Sequence, residues 1–190
     1  MSGEKERAIV SLIFVAHMKT SDGTQEERAA LRNLRESLDG VMHAAHVGCF
    51  PAYASLQVLL GKHHRVQSIT GLNTRGENGG CCETSNPLTK HFGFSKDAWS
   101  DYSPFSVDNE TAHRIGHQYL TALRHWIDTL KVRHAVIVMG ELPLLLTIGA
   151  LTNVAPHERL RPGQSIIIEG TLDDRRKTVV FPDQVTLRQV

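Results

Sequence analysis

The stretch IVSLIFVAHMKTSDG, residues 9–23, contains the features that decide the fold class. Ile9 to Val15 form a short apolar run rich in β-branched residues, which is typical of a strand covered on both faces. Thr24 and Glu27 follow with the spacing of a helix capping box, so we predict a helix that starts near Gln25. The apolar run is too short to span a membrane, and no small-residue cleavage site follows it.

Strand and helix patterns then alternate along the rest of the chain. The predicted elements are a strand at 44–47, a helix at 51–60, a strand at 66–69, a long helix capped by Asp108 or Asn109, a strand at 135–139, a helix opened by Pro143, and a closing hairpin of 165–169 and 178–181. This alternation predicts an α/β fold of three layers, α/β/α, with a mostly parallel central sheet. All 190 residues are assigned to a single domain. Residues 71–107 lack periodicity, and we interpret them as an irregular insertion placed to act as a lid.

Charge and cysteine content restrict the function classes. The chain has 21 basic and 20 acidic residues, so it lacks the positive excess that would hold a nucleic acid. No membrane partner is expected either. The three cysteines include the adjacent pair Cys81 and Cys82, in which a disulfide would be strained. Reduced thiols and a cytoplasmic location are therefore predicted.

Ligands of open parallel α/β sheets bind beyond the carboxyl ends of the strands, so those ends are where functional residues are expected. The first strand ends at residues 16–18, and the strand at 135–139 runs into Gly140 and Glu141. Ser21 lies in the turn that follows the first strand, before the capped helix. We therefore expect the binding crevice to be formed by these segments.

At these strand ends the sequence resembles the histidine phosphatases, the phosphoglycerate mutase-like superfamily. The resemblance covers nearly the whole chain in its order of elements. IFVAHMKTSDG (residues 13–23) is similar to the family's strand ending in Arg-His-Gly, and it keeps the histidine as His17. HAVIVMGELPLLLTIGAL (134–151) is similar to the family's apolar strand that ends in a second His-Gly motif and runs into an apolar helix. LNTRGENGG (72–80) is similar to the mutase stretch Leu-Asn-Glu-Arg.

The resemblance implies that His17 is the residue that would accept a phosphoryl group, yet its partners differ. Where the family has two arginines and a second histidine, this chain has Ala16, Tyr53 and Met139, and Met18 replaces the glycine. A phosphoryl transition state is stabilised almost entirely by positioned positive charge, and one arginine supplies roughly 10³–10⁵ in rate in related sites. The loss of that charge therefore argues against phosphoryl transfer.

The family's glutamate falls on Thr74, and Glu77, three residues further on, is the candidate general acid in its place. If catalysis persists, anion contacts would come from backbone N–H groups, Arg75 or Lys90. His113 and His117 have metal-compatible spacing on the long helix, but they lie off its apolar stripe and are interpreted as a solvated face. No metal and no cofactor are predicted.

Two functions from different classes follow, and hydrolysis through Cys81 and Cys82, for which no base is assigned, is a third alternative. The first is a histidine phosphatase-like domain with a degenerate pocket, which acts as a non-catalytic binding or scaffolding protein. The alternative is a weak or unusual phosphatase or phosphomutase that acts on a small phosphate ester through a phosphohistidine at His17. The partner would be a small-molecule or phosphorylated ligand, or a protein, and homo-oligomerisation stays open. The candidate ligand-binding residues are Ala16, Met18, Ser21, Tyr53, Thr74, Met139, Gly140 and Glu141.

Overall fold

The computed structural model describes residues 9–47, 49–62, 66–72, 109–152, 160–173 and 178–180. The strands are β1 (Ile9–Ala16), β2 (His43–Val47), β3 (Ser68–Leu72), β4 (His134–Met139), β5 (Ser165–Asp173) and β6 (Thr178–Val180). The helices are α1 (Gln25–Leu34), α2 (Phe50–Leu60), α3 (Asn109–Leu130) and α4 (Glu141–Thr152), and a 3-10 turn (Arg35–Leu38) follows α1.

The strands form one sheet in the order β3-β2-β4-β1-β5-β6. β3, β2, β4 and β1 run parallel, while β5 is antiparallel to both β1 and β6. One face carries an apolar cluster shared with α3 and α4, and the other carries a cluster shared with α1 and α2. The predicted α/β class, with a mostly parallel sheet between two helical layers, is confirmed.

The start of α1 follows the predicted capping box. The Thr24 side chain accepts from the Glu27 N–H, and the Glu27 carboxylate accepts from the Thr24 N–H. This reciprocal pair satisfies two donors that the first turn of a helix leaves without partners. Leu31 and Leu34 then turn inward, and they anchor α1 on the sheet.

Several predicted boundaries differ from the structure. β3 lies at Ser68–Leu72 rather than at 66–69, because its pairing with β2 fixes its limits. Residues 71 and 72 therefore belong to β3 and not to the insertion. Helix α4 begins at Glu141, two residues before Pro143. A proline is tolerated there because N–H groups of the first helical turn have no partner within the helix.

Several predictions concern residues beyond the described ones. Residues 73–108, which make up most of the predicted insertion, lie outside them, as do Cys81 and Cys82. The single-domain assignment stays a prediction. Cys49 takes part in a disulfide bond, so the prediction of reduced thiols is wrong for this residue. The cytoplasmic location stays a prediction. Within the described ranges, no helix is long and apolar enough to cross a membrane.

Candidate functional site

The crevice of interest lies where β1 and β4 end side by side. Ala16 and Met139 are register partners at these two ends. One residue further on, the His17 N–H donates to the Met139 carbonyl over 2.9 Å. Adjacent strands are about 4.8 Å apart, so His17 and position 139 belong to one small region of the sheet edge. The strand order alone brings these two sequence-predicted positions together.

The imidazole of His17 is oriented by the chain that follows it. Its Nδ1 lies 2.5 Å from the Met18 carbonyl oxygen. A carbonyl only accepts hydrogen bonds, so this contact places the ring proton on Nδ1. In the neutral ring, Nε2 then carries the lone pair, and this atom has almost no solvent-accessible surface. The contact with Met18 therefore fixes the tautomer of His17, while Nε2 is enclosed by protein atoms.

Met18 occupies core space rather than the crevice surface. Its side chain is fully buried in the cluster that α1 and α2 form with the sheet. Its N–H donates to the Ser55 hydroxyl oxygen over 2.8 Å. A Cβ at Gly23 would lie only 2.2 Å from the Met18 sulfur, so the thioether fills the space that this glycine leaves. The residue after His17 is therefore fixed by packing and by hydrogen bonds.

The strand ends beside His17 carry apolar side chains. Ala16 and Met139 are each 1% exposed, and both belong to the apolar cluster shared with α3 and α4. These are the two positions where the resemblance places an arginine and a histidine. Any positive charge at this end of the sheet must come from other segments. Lys19 and Arg161 are both exposed, the first in the turn after His17 and the second just before β5.

The segment before β5 is joined to the end of β1. Ala16 donates to the Gln164 carbonyl over 3.1 Å, and the Gly163 N–H donates to the Ala16 carbonyl over 2.9 Å. Glu141, the first residue of α4, accepts from the Leu160 N–H over 3.0 Å. Glu141 therefore connects the start of α4 to the segment that lines the β1 end. The Gly140 carbonyl accepts a hydrogen bond from the Leu144 N–H over 3.0 Å, at the start of α4, and Gly140 is buried.

Tyr53 lies on α2 and is 43% exposed. Its ring packs edge-on against His46 of β2, with ring centroids 5.3 Å apart. His46 in turn lies beside Gly71 of β3, where an added Cβ would be in ordinary van der Waals contact with the imidazole, at 3.6 Å. Ser21 is half-buried in the turn before α1. Thr74 and Glu77 lie outside the described residues, so their roles stay predictions.

Sequence reasoning missed Ser55, which the structure joins to the residue after His17. A signal was present, because this serine interrupts the apolar face of α2 formed by Ala52, Leu56 and Leu59. A polar side chain on a buried helix face requires a partner, but the sequence does not say which one. For metals, no group of three or more ligating side chains lies together within the described ranges.

Comparison with solved structures identifies the architecture. YhfR from Bacillus stearothermophilus aligns with a TM-score of 0.62 at 15% identity, over 94% of this chain and 96% of that chain. Phosphoserine phosphatase from Entamoeba histolytica aligns with a TM-score of 0.55 at 12% identity, over 90% and 94% of the two chains. Alpha-ribazole phosphatase from Shigella flexneri aligns with a TM-score of 0.54 at 14% identity, over 94% of this chain and 96% of that chain. No protein-family model and no curated protein matches the sequence. The sheet order, the two helical layers and these alignments show that the chain has the histidine phosphatase fold.

Proposed function

We propose that this chain is a histidine phosphatase-fold domain that binds a ligand or a protein partner without transferring a phosphoryl group. The observation that carries the proposal is the burial of Ala16 and Met139 beside His17. A transferring phosphoryl group spreads negative charge over its oxygens, and arginine, lysine or metal ions normally neutralise it. Two buried apolar side chains supply no such charge at the strand ends.

The packing of these positions supports the same conclusion. Ala16 and Met139 belong to a continuous apolar cluster, and a thioether fills irregular core space well. A charged group placed there would have to be desolvated, which is unfavourable unless a partner charge is present. The sequence therefore favours core packing over anion binding at these sites. The partner would be a small-molecule or phosphorylated ligand or a protein, and a second copy of the chain is among the protein partners proposed.

Hydrolysis of a generic phosphate ester tests this proposal. We expect negligible turnover of p-nitrophenyl phosphate by the purified chain. His17→Ala removes the candidate nucleophile, and His134→Ala is the matched control, because His134 is exposed and lies at the opposite end of the sheet. Robust turnover that persists in His134→Ala and vanishes in His17→Ala would overturn the proposal. Equal turnover by all three proteins would indicate a contaminating phosphatase, and the proposal would stand.

A second function, a weak phosphatase or phosphomutase, is favoured by the orientation of His17. The contact of Nδ1 with the Met18 carbonyl leaves the lone pair on Nε2, which is the form that a nucleophilic histidine needs. In this function Glu77 would be the general acid. Lys19 and Arg161, which are exposed in the segments that flank the β1 end, would join Arg75 or Lys90 in binding the anion. Loss of turnover in Lys19→Ala or Arg161→Ala would support this function.

A further inference from the structure

Ser55 lies on the buried face of α2 with no solvent exposure. Its hydroxyl oxygen accepts the Met18 N–H over 2.8 Å, across 37 residues of sequence. A buried main-chain N–H without a partner is costly, so this bond fixes the Met18 main chain against α2. The bond therefore couples a helix on one face of the sheet to the turn that follows β1.

Met18 is held at three places. Its N–H is bonded to Ser55, its carbonyl is bonded to His17 Nδ1, and its thioether fills the space over Gly23. The two main-chain bonds belong to the same residue, so a shift of the Met18 N–H also moves its carbonyl. That carbonyl accepts the hydrogen bond from Nδ1 of His17, which favours the tautomer protonated at Nδ1.

We propose that Ser55 is a positioning residue for His17. Through the Met18 main chain it holds the carbonyl that receives the Nδ1–H, and so it keeps the lone pair on Nε2. The inference rests on the proposed function only in taking the crevice at His17 as the functional site. A histidine that accepts a hydrogen bond from a ligand and one that attacks a phosphorus atom both need this form.

A merely structural role for Ser55 makes a different prediction. If the serine only satisfies the Met18 N–H, its removal lowers stability and leaves the His17 ring unchanged. If it positions the ring, its removal lets the Met18 carbonyl shift, and part of the His17 population moves its proton to Nε2. The tautomer of His17 therefore separates the two roles, and melting temperature alone does not.

Ser165 provides a matched control. It is also fully buried, it lies beside Val15 in the sheet, and its hydroxyl has no hydrogen-bond partner among the residues that the structure describes. Ser165→Ala therefore makes the same chemical change at the same level of burial, near the same strand end, without touching the Met18 main chain. An unsatisfied buried hydroxyl is unfavourable, so its removal should be neutral or slightly stabilising.

The experiment reads the imidazole nitrogens of ¹⁵N-labelled protein by long-range ¹H–¹⁵N correlation at pH 8, where a histidine of ordinary pKa is neutral. The chain has 11 histidines, so the signal that disappears in His17→Gln assigns His17. We expect the Nδ1–H form in the wild type and in Ser165→Ala. Ser55→Ala should show a mixture with a substantial Nε2–H fraction.

Two results would overturn the inference: a wild-type His17 with its proton on Nε2, or a Ser55→Ala spectrum identical to that of the wild type. If Ser55→Ala does not fold, Ser55→Cys takes its place, since a thiol is a weak acceptor of similar size. The spectra need no substrate, so they are independent of whether the chain hydrolyses phosphate esters. A phosphatase assay can therefore fail while the positioning inference holds, and the reverse is also true.

Discussion

The main-chain N–H of His17 donates to the carbonyl oxygen of Met139 over 2.9 Å. This bond continues the β1–β4 pairing one step beyond the strands and holds the main chain of His17 beside residue 139. The Met139 side chain is 1% exposed and packs in the apolar cluster shared with α3 and α4, so it brings no charge to the region of His17.

Restoring positive charge at the crevice should therefore create phosphate affinity. Ala16→Arg, Tyr53→Arg and Met139→His introduced together restore the basic residues that the resemblance implies at these three positions. Each single change should do little for binding, because residues that act as a unit are not additive. Ala16→Arg alone should lower the melting temperature, since it places an unpaired charge at a buried position.

Thermal melts with and without phosphate measure this prediction. A ligand at 100 times its dissociation constant stabilises a protein by about 2.7 kcal/mol. For a chain of this size, that corresponds to a rise in melting temperature of roughly 5–10 °C. The triple variant should show such a rise, and the wild type should show none relative to chloride at equal ionic strength. A phosphate-induced rise in the wild type would mean that the native crevice already binds the anion.

Comparing alanine substitutions at Gly23 and Gly40 separates the cost of backbone strain from the cost of a clash with Met18. Both have positive φ, +62° and +80°. A Cβ at Gly40 meets no described residue within 4 Å, so Gly40→Ala should cost only the strain, about 1–2 kcal/mol. A Cβ at Gly23 would lie 2.2 Å from the Met18 sulfur, so Gly23→Ala should be clearly more destabilising.

Urea denaturation of both variants gives the difference in the free energy of unfolding. A double-mutant cycle of Gly23→Ala with Met18→Ala tests whether the clash causes the destabilisation, because shortening the Met18 side chain removes it. Gly23→Ala should then cost about as much as Gly40→Ala. If Gly23→Ala is equally destabilising with and without Met18, the contact does not determine its effect.

Features that depend on neighbouring residues, such as the start of a helix, were predicted correctly from the sequence. Features that depend on pairing between distant segments, such as the limits of a strand, were misplaced. The T-x-x-E spacing at Thr24 and Glu27 gave the start of α1 correctly, because a capping box involves only four consecutive residues. The limits of β3 were misplaced because β-branched Val66 and Ile69 suggested a strand there. The pairing of residues 68–72 with β2 decides the strand, and it includes a glycine that the local pattern disfavours.

The candidate site shows the same contrast between features that the sequence predicts and features that depend on the packing of distant segments. His17 and Met139 could be placed at the same edge of the sheet because parallel strands end there, and the resemblance implied that their two strands are neighbours. The partner of Ser55 could not be predicted, because it lies 37 residues away and depends on how α2 packs. Met18 was predicted to line the crevice from its place next to His17, and the structure places its side chain in the core instead.

Arg35 should stabilise the end of α2. Its Nε donates to the Leu59 carbonyl over 2.8 Å, and one terminal nitrogen donates to the Val58 carbonyl over 2.6 Å. These are among the last carbonyls of the helix, which have no partner within it and carry partial negative charge. Arg35→Ala should lower the free energy of unfolding by about 2 kcal/mol.

Two other substitutions serve as controls for Arg35. Lysine keeps the charge and loses the planar fork, so Arg35→Lys should retain part of the stability. Arg32 is exposed and makes one local bond to the Arg28 carbonyl, so Arg32→Ala should change stability little. Urea denaturation measures all three variants. Equal effects of Arg35→Ala and Arg32→Ala would contradict a specific role for Arg35.

Gly116 should be required for the close approach of α3 and α4. A Cβ built on this residue would lie 2.6 Å from the Leu146 carbonyl oxygen, which is main chain and has no freedom to move aside. In a helix interior, glycine to alanine is normally stabilising by about 1 kcal/mol. Here the clash opposes that gain, and overpacking costs roughly 1–3 kcal/mol. We expect Gly116→Ala to be destabilising overall.

Thr121→Ala in the same helix is the control, because it also raises helix propensity and lies at an exposed position. It loses only a local bond from the threonine hydroxyl to the His117 carbonyl. Thr121→Ala should leave the free energy of unfolding unchanged or raise it slightly, whereas Gly116→Ala should lower it. Circular dichroism melts and urea denaturation measure both variants. If Gly116→Ala proves as stable as the wild type or more stable, α4 must be able to move away from α3 at little cost.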